Sequence, residues 1–408
     1  MSSPHFEYFT LPNGLRLVCE KTPAKVDYFG VAINAGSRDE APNRYGIAHF
    51  VEHTIFKGTK RRRACHILNR MEAVGGELNA FTSKEETNVY SIFPHGNLSR
   101  AIDLIADLVQ NSQFPQHELL RESEVVREEI DSYLDTPSEA VFDDFEDLFF
   151  SGSQLGHNIL GKAETLPTFT SQVCRNYIET CYTPNRMVAF YRGSMSPKRV
   201  FDIVTRHFGE MPTATSTLAR IAPTAVAPFA VRRNIDSHQA HSVLGAPVPG
   251  LYSNERIALG LLTNLLGGPG MNSRLNISLR ERRGLVYTVE ANLNMMSDCG
   301  LFNIYFGCDP DDANRCTELV NNELHRIATE PLTPRALRAA KQQYLGQLIV
   351  ATDNREQMAL NAARSTMFFN QVHTPKQVAD AINALTADNL LNAAQHLQPL
   401  HFSQLTLG

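Results

Sequence analysis

Strand-like apolar runs open the chain. Phe6 to Thr10 and Leu15 to Glu20 flank Pro12-Asn13-Gly14, and Asn-Gly between two such runs is a strong hairpin signal. Another strand is expected from Tyr28 to Asn34, ahead of a loop containing Gly36. After Gly46 the apolar spacing becomes helical, and it does so again over about Ile67 to Val74, where Gly75-Gly76 offers a C-cap. Asn79 to Thr82 and the alternating Thr87 to Phe93 return to a period of two. Helices then dominate: Leu98 to Asn111, a long segment after Pro115 reaching about Leu134, and one around Val141 to Phe150. Arg186 to Arg192 reads as a closing strand.

From Met211 to Phe229 periodicity is lost in a Thr-, Ala- and Pro-rich stretch, the signature of a linker. The pattern then restarts with a strand from His241 to Ala246 and a helix from Glu255 to Leu266. A glycine turn at 267–270, a helix from Met271 to Arg283, and strands Val286 to Asn294 and Leu301 to Phe306 come next. Further helices begin near Asp312, Thr333-Pro334 and Asp353, with Thr333 as N-cap and Pro334 at the first helical position. Both halves therefore run strand, helix, strands, helices. A chain of 408 residues suits two domains of about 200 residues each. The expectation is an α+β protein with two similar domains, each a mostly antiparallel sheet packed with helices. Residues 1–212 and 230–408 form the two domains, and 213–229 the linker.

A formal charge of −5 argues against a general nucleic-acid binder, which needs a basic surface to neutralise phosphates. The local run Arg61-Arg62-Arg63, with Lys57 and Lys60, is expected to cap the helix after Gly46 and to stay solvated. No segment approaches 18 consecutive apolar residues, so no membrane span is expected. Met1 to His5 carries no signal-peptide pattern. The seven cysteines are scattered, odd in number and without a C-x-x-C pair, as in a protein kept reduced. Together these features point to a bacterial-type cytoplasm.

The chemistry concentrates in His49-Phe50-Val51-Glu52-His53. On a helix His49 and His53 are i and i+4, so both imidazoles leave one face. Glu52 lies close enough to that face to take a proton from a water between them. Catalytic zinc takes three protein ligands from His and Asp/Glu and keeps one position open. The order H-x-x-E-H is the inverzincin signature. Without those flanking imidazoles, Glu52 would read as an ordinary surface carboxylate. Two rival features read as structural. His238 and His241 flank a strand and should be polar surface residues, and Gly267 to Gly270 lacks the G-K-[ST] ending of a phosphate loop.

With its flanks, Gly46 to Thr59 resembles the pitrilysin/insulinase (M16) metallopeptidase family, the group that includes mitochondrial processing peptidase. Asn79-Ala80-Phe81-Thr82-Ser83 is similar to the family's substrate-strand motif, and Arg280 to Tyr287 to its distal Arg/Tyr motif. Thr54 departs from the Met that many members carry; it follows the second His and puts nothing catalytic in doubt. The resemblance implies a third ligand 76 positions after the second His, which is Glu129. It implies Glu122, two helical turns earlier on the same face, as the carboxylate that orients an imidazole. Glu124 and Glu128 read as solvated. It also implies that Asn79, Ala80 and Phe81 pair with an extended peptide, that Arg280 holds a substrate carbonyl, and that Tyr287 donates to a developing oxyanion. By composition alone, Phe81 would be core, Tyr287 an ordinary strand residue and Arg280 one surface charge among several.

The resemblance therefore implies a zinc endopeptidase with one Zn2+ per chain, acting on unfolded or extended peptides. Longer family members carry four such domains, so a two-domain chain implies a homodimer with sites shared between protomers. The alternatives are a non-catalytic scaffold like the core subunits of respiratory complexes, and a peptide-binding clamp that does not cut.

Overall fold

The computed structural model describes residues 5–213 and 218–408. The expectation for Met1 to Pro4, and residues 214–217 of the linker stretch, lie outside the described residues. The chain forms two compact units. The first comprises the described residues up to Asp131, with His157–Arg220 and Thr352–Thr374. The second comprises Ser132–Gly156, Ile221–Ala351 and Pro375–Gly408.

In the first unit, β1 (Phe6–Thr10) and β2 (Arg16–Lys21) form the expected hairpin, with Gly14 at φ 94° in its turn. β3 (Val26–Ile33), β4 (Glu77–Thr82), β5 (Thr87–Pro94) and β6 (Met187–Gly193) complete a six-stranded sheet. Its order is β1-β2-β6-β3-β5-β4, which leaves β4 at an edge. In the second unit, β7 (Ala230–Arg233), β8 (Ala240–Val248), β9 (Val286–Met295), β10 (Gly300–Cys308) and β11 (Ser403–Leu407) form a sheet ordered β7-β11-β8-β10-β9.

Apart from β1, the two orders are the same: first strand, last, second, fourth, third. In both sheets the first–last pair is parallel and every other pairing is antiparallel. Shared topology, including the one parallel pair, is the duplication that the repeated element order implies.

Helices cover the sheets. In the first half they are α1 (Ile47–Thr54), α2 (Ala64–Glu72), α3 (Leu98–Asn111), α4 (Gln116–Leu134), α5 (Pro137–Phe149), α6 (Ser171–Cys181) and α7 (Pro197–Phe208). The second half carries α8 (Arg256–Gly267), α9 (Ala313–Thr329), α10 (Pro334–Ala351), α11 (Arg355–Phe369), α12 (Pro375–Ala384) and α13 (Ala387–Ala393). The Thr333 hydroxyl accepts from Ala336 N–H, the cap expected at that helix start. Each half of the chain lends the other unit a helix. α11 packs on β3 and β6 in the first unit, and α5 packs on β8 and β11 in the second.

α3 is buried on nearly every side, with Asp103 and Asp107 among its buried residues, and is the central helix of the first core, where Leu104, Ile105 and Leu108 are fully buried with Phe29, Phe50 and Phe93. Each such side chain contributes roughly 1.5–3 kcal/mol by leaving water. The second core gathers Val141 and Phe145 of α5 around Val243, Leu301 and Leu405.

Three local expectations are corrected. The basic run is solvated only in part: Lys60, Arg61 and Arg63 are exposed, but Arg62 is largely buried and pairs with Asp103 and Asp107 of α3, and Arg61 reaches Asp103 at 3.0 Å, because carboxylates drawn into a core helix need cations beside them. His241 is buried, with Nδ1 2.9 Å from the Tyr305 hydroxyl, whereas His238 is exposed. The helix expected from Met271 to Arg283 narrows to a π-helical turn, Asn276–Glu281, where Arg282 N–H donates to Ile277 five residues back. Gly284, at φ 63°, ends it.

Candidate metal centre

α1 begins at Gly46, whose φ of 94° excludes a comfortable side chain. The loop at Gly161 lies so close that a Cβ there would sit 2.4 Å from the Tyr45 carbonyl oxygen. The cap comes from farther away. Glu40 accepts from Gly46 N–H at 2.8 Å and from Ala48 N–H at 2.7 Å, and His157 Nε2 lies 3.1 Å from the same carboxylate. Burial pushes the Glu40 carboxyl upward, while His157 and the two backbone donors pull it back. A negative group at a helix N-terminus is favoured by the orphan N–H donors there.

That helix presents His49 and His53 from one face, with ring centroids 4.5 Å apart. α4 brings Glu129 to them: one carboxylate oxygen is 3.7 Å from His49 Nε2 and the other 3.4 Å from His53 Nε2. These separations are longer than hydrogen bonds. The 3.4 Å separation falls within the edge of a tetrahedron about an ion with 2.0–2.2 Å bonds, about 3.3–3.6 Å, and the 3.7 Å one lies just beyond it. One ligand atom from each residue lies within 4.8 Å of the others, the only such grouping found among the described residues.

The electrostatics also fit a cation. Burial, followed by the nearby His53, lowers the His49 pKa to about 4, so this imidazole is neutral with a lone pair available. His53 is shifted upward, chiefly by its hydrogen bond to Glu122, with burial opposing and Glu129 and Glu52 adding to the rise. Three carboxylates thus favour positive charge at one point. Glu122 Oε1 lies 3.1 Å from His53 Nδ1. Burial raises the Glu122 carboxyl, but His53 and Lys57 outweigh it and hold it below its ordinary value. A carboxylate only accepts, so Nδ1 carries a proton, and in the neutral ring the lone pair is then on Nε2, the nitrogen nearer Glu129. Nδ1 of His49 is buried without a hydrogen-bond partner among the described residues.

Glu52 lines a cavity of about 390 Å3 together with His53, Lys57 and Glu122. Burial raises its carboxyl, and Thr82 and His53 oppose that rise. Glu124 and Glu128 are exposed, as expected. Asn79, Ala80 and Phe81 are half-buried on β4, where Phe81 meets the Tyr90 ring edge-on. Arg280 lies exposed in the π-helical turn, and Tyr287 is 67% exposed at the start of edge strand β9. Gly284 separates the two, as expected. Glu40 and His157 were not singled out by sequence, and Lys57 only as a member of the basic run; a cap six residues upstream of its helix leaves no local pattern to find.

Residues 16–163 match the family model for insulinase (peptidase family M16), and residues 168–344 match the M16 inactive domain. An uncharacterised zinc protease of Bacillus subtilis is 32% identical, with 95% of each chain covered. The chain belongs to the M16 family. M16 relatives also include an uncharacterised zinc protease of Streptomyces coelicolor, 31% identical over 95% of this chain and 86% of that one. A probable mitochondrial-processing peptidase subunit beta of Arabidopsis thaliana is 30% identical over 96% of this chain and 76% of its own. A solved protease from Helicobacter pylori shares the fold, with a TM-score of 0.91 at 21% identity and 99% of each chain covered. Among the described residues, no helix is long and apolar enough to cross a membrane.

Proposed function

We propose that this M16 chain is a zinc-dependent endopeptidase for unfolded or extended peptides. His49, His53 and Glu129 hold one zinc ion per chain, and Glu52 is the general base. The observation that carries this reading is the convergence of two imidazoles and a carboxylate within 4.8 Å of one another. A bound zinc ion supplies Lewis acidity, bringing the pKa of a water toward neutrality and polarising a carbonyl.

The chain does the rest. Glu52, whose half-buried carboxyl is more basic than an ordinary Glu, takes the attacking water's proton and passes it to the leaving amine. Glu122 fixes the His53 ring and its tautomer. The free edge of β4 offers Asn79, Ala80 and Phe81 for main-chain pairing with the peptide, a mode that reads backbone and tolerates many sequences. Arg280 holds a substrate carbonyl, and Tyr287 donates a hydrogen bond where negative charge grows on the scissile carbonyl. Two copies form a homodimer, with Arg280 and Tyr287 of one serving the zinc ligands of the other. The protein works in a cytoplasm, in keeping with cysteines that are scattered along the chain without a C-x-x-C pair.

The test is elemental analysis of the purified protein, combined with cleavage of an unstructured, internally quenched peptide. Stoichiometric zinc and turnover that is lost with chelator or in Glu52→Gln support the reading. A protein that binds no metal, or binds it without turnover, is a scaffold or a clamp instead.

A further inference from the structure

Glu122 is gripped at both oxygens. His53 Nδ1 lies 3.1 Å from Oε1, and Lys57 Nζ lies 2.7 Å from Oε2. His53 and Lys57 are four residues apart, on α1 and the 3-10 turn Ile55–Lys57 that continues it. Glu122 sits seven residues, two helical turns, before Glu129 on α4. One segment therefore holds a single carboxylate of the other ligand-bearing helix at two points.

A carboxylate held only by an imidazole can turn about its last torsion, which is broad and weakly restrained. An ammonium on the second oxygen removes that freedom. It also draws α4 toward the turn after α1, which sets the position of Glu129. The Glu122 side chain is 11% exposed and that of Lys57 29%, so their pairing is only partly screened by water.

We propose that Lys57 is a positioning residue for the metal centre: through Glu122 it fixes the His53 ring and the α1–α4 spacing, and so raises metal affinity. The inference rests on the zinc reading above, and its test separates the two. Zn2+ is titrated against a chromophoric chelator for the wild type, Lys57→Met, Lys57→Arg, Glu122→Gln and the double variant Lys57→Met/Glu122→Gln. Thermal unfolding of each metal-free protein reports folding, and Lys57→Gln replaces Lys57→Met if that variant does not fold.

Removing a partner of a ligating His costs about 10–100-fold in metal affinity, so Glu122→Gln falls in that range. Lys57→Met, one contact farther out, weakens binding roughly tenfold, the low end of it. Lys57→Arg stays close to wild type, because charge and reach persist. In the Glu122→Gln background, Lys57→Met costs nothing further. Wild-type affinity in Lys57→Met overturns the proposal and leaves the zinc reading standing. So does a full additional loss in the double variant, or a Lys57→Arg as weak as Lys57→Met. A wild-type protein that binds no Zn2+ overturns the zinc reading itself and this inference with it.

Discussion

The Glu40 carboxylate accepts from the backbone N–H of Ala48 at 2.7 Å, one residue before His49 in the chain. The helix carrying both imidazoles is thus capped by a buried acid from a preceding loop, and not by its own Gly46. Glu40→Ala leaves the two backbone donors without their acceptor, while His157 Nε2 keeps the Ser37 carbonyl oxygen at 3.0 Å. Chemical denaturation should show a loss of about 2–4 kcal/mol, the scale for removing a charged acceptor from buried donors. Glu40→Gln keeps one acceptor oxygen and should lose less.

Glu52 is half-buried beside His53, yet it makes none of the ligand contacts that join His49, His53 and Glu129. Glu52→Gln keeps size and polarity but cannot take a proton. Turnover of a quenched peptide should fall by about 10²–10⁴, the usual worth of a positioned general base. Zinc content, read by elemental analysis, should stay at the wild-type level. Loss of metal together with activity would instead make Glu52 a ligand.

Glu124 and Glu129 are both exposed on α4, but Glu129 lies beside the two imidazoles. Glu129→Gln replaces a charged donor with a neutral amide and should release the metal. Glu124→Gln, equal in composition, should bind zinc and turn over as the wild type does. A matched pair on one helix separates ligand loss from a general change in surface charge.

Much of this centre was legible because its signals are local. The His49/His53 spacing is a helical period, and Glu122 and Glu129 are two turns apart on one face, so pattern alone aligned each pair. Bringing the two pairs together needed the family resemblance, since no periodicity tells which helix faces which. For the same reason the exchange of α5 and α11 between units was not legible: an amphipathic stripe demands a sheet without naming one. Lys57 and Arg62 look solvated in the sequence because their acids, Glu122 and Asp103, lie 65 and 41 residues away. Short β7 and β11 carry too little pattern to be seen there; β7 has only four residues and mostly exposed side chains.

Asp103 contributes to the acid-side behaviour of the first unit. Burial raises its carboxyl, but Arg62, Arg61 and Arg70 outweigh that and bring it below its ordinary value of 3.8. A carboxyl depressed on folding stabilises the native state above its unfolded pKa, and this contribution drains away as pH falls through the folded value. Wild type should therefore be more stable than Asp103→Asn at neutral pH. The gap should close as pH is lowered from about 4 through the depressed value. Urea melts at stepped pH check this, and a gap that widens in acid would reverse the assignment.

Tyr287 is 67% exposed and Arg280 lies near it in sequence, across Gly284, on the second unit, while the imidazoles and Glu129 belong to the first. If a homodimer completes each site with the partner's Tyr287, the two sets of residues can be inactivated in different chains. Glu52→Gln and Tyr287→Phe homodimers should each be strongly impaired. Mixed under conditions of subunit exchange, they form hybrids in which one site combines an intact Glu52 with an intact Tyr287, and the other carries both defects. A random mixture places half its dimers in the hybrid form, and each hybrid has one working site of two. Activity should therefore recover to roughly a quarter of wild type, by the statistics of closed two-fold assembly. Mass spectrometry on differently labelled chains verifies the exchange. Hybrids that form without recovery would mean that each chain completes its own site.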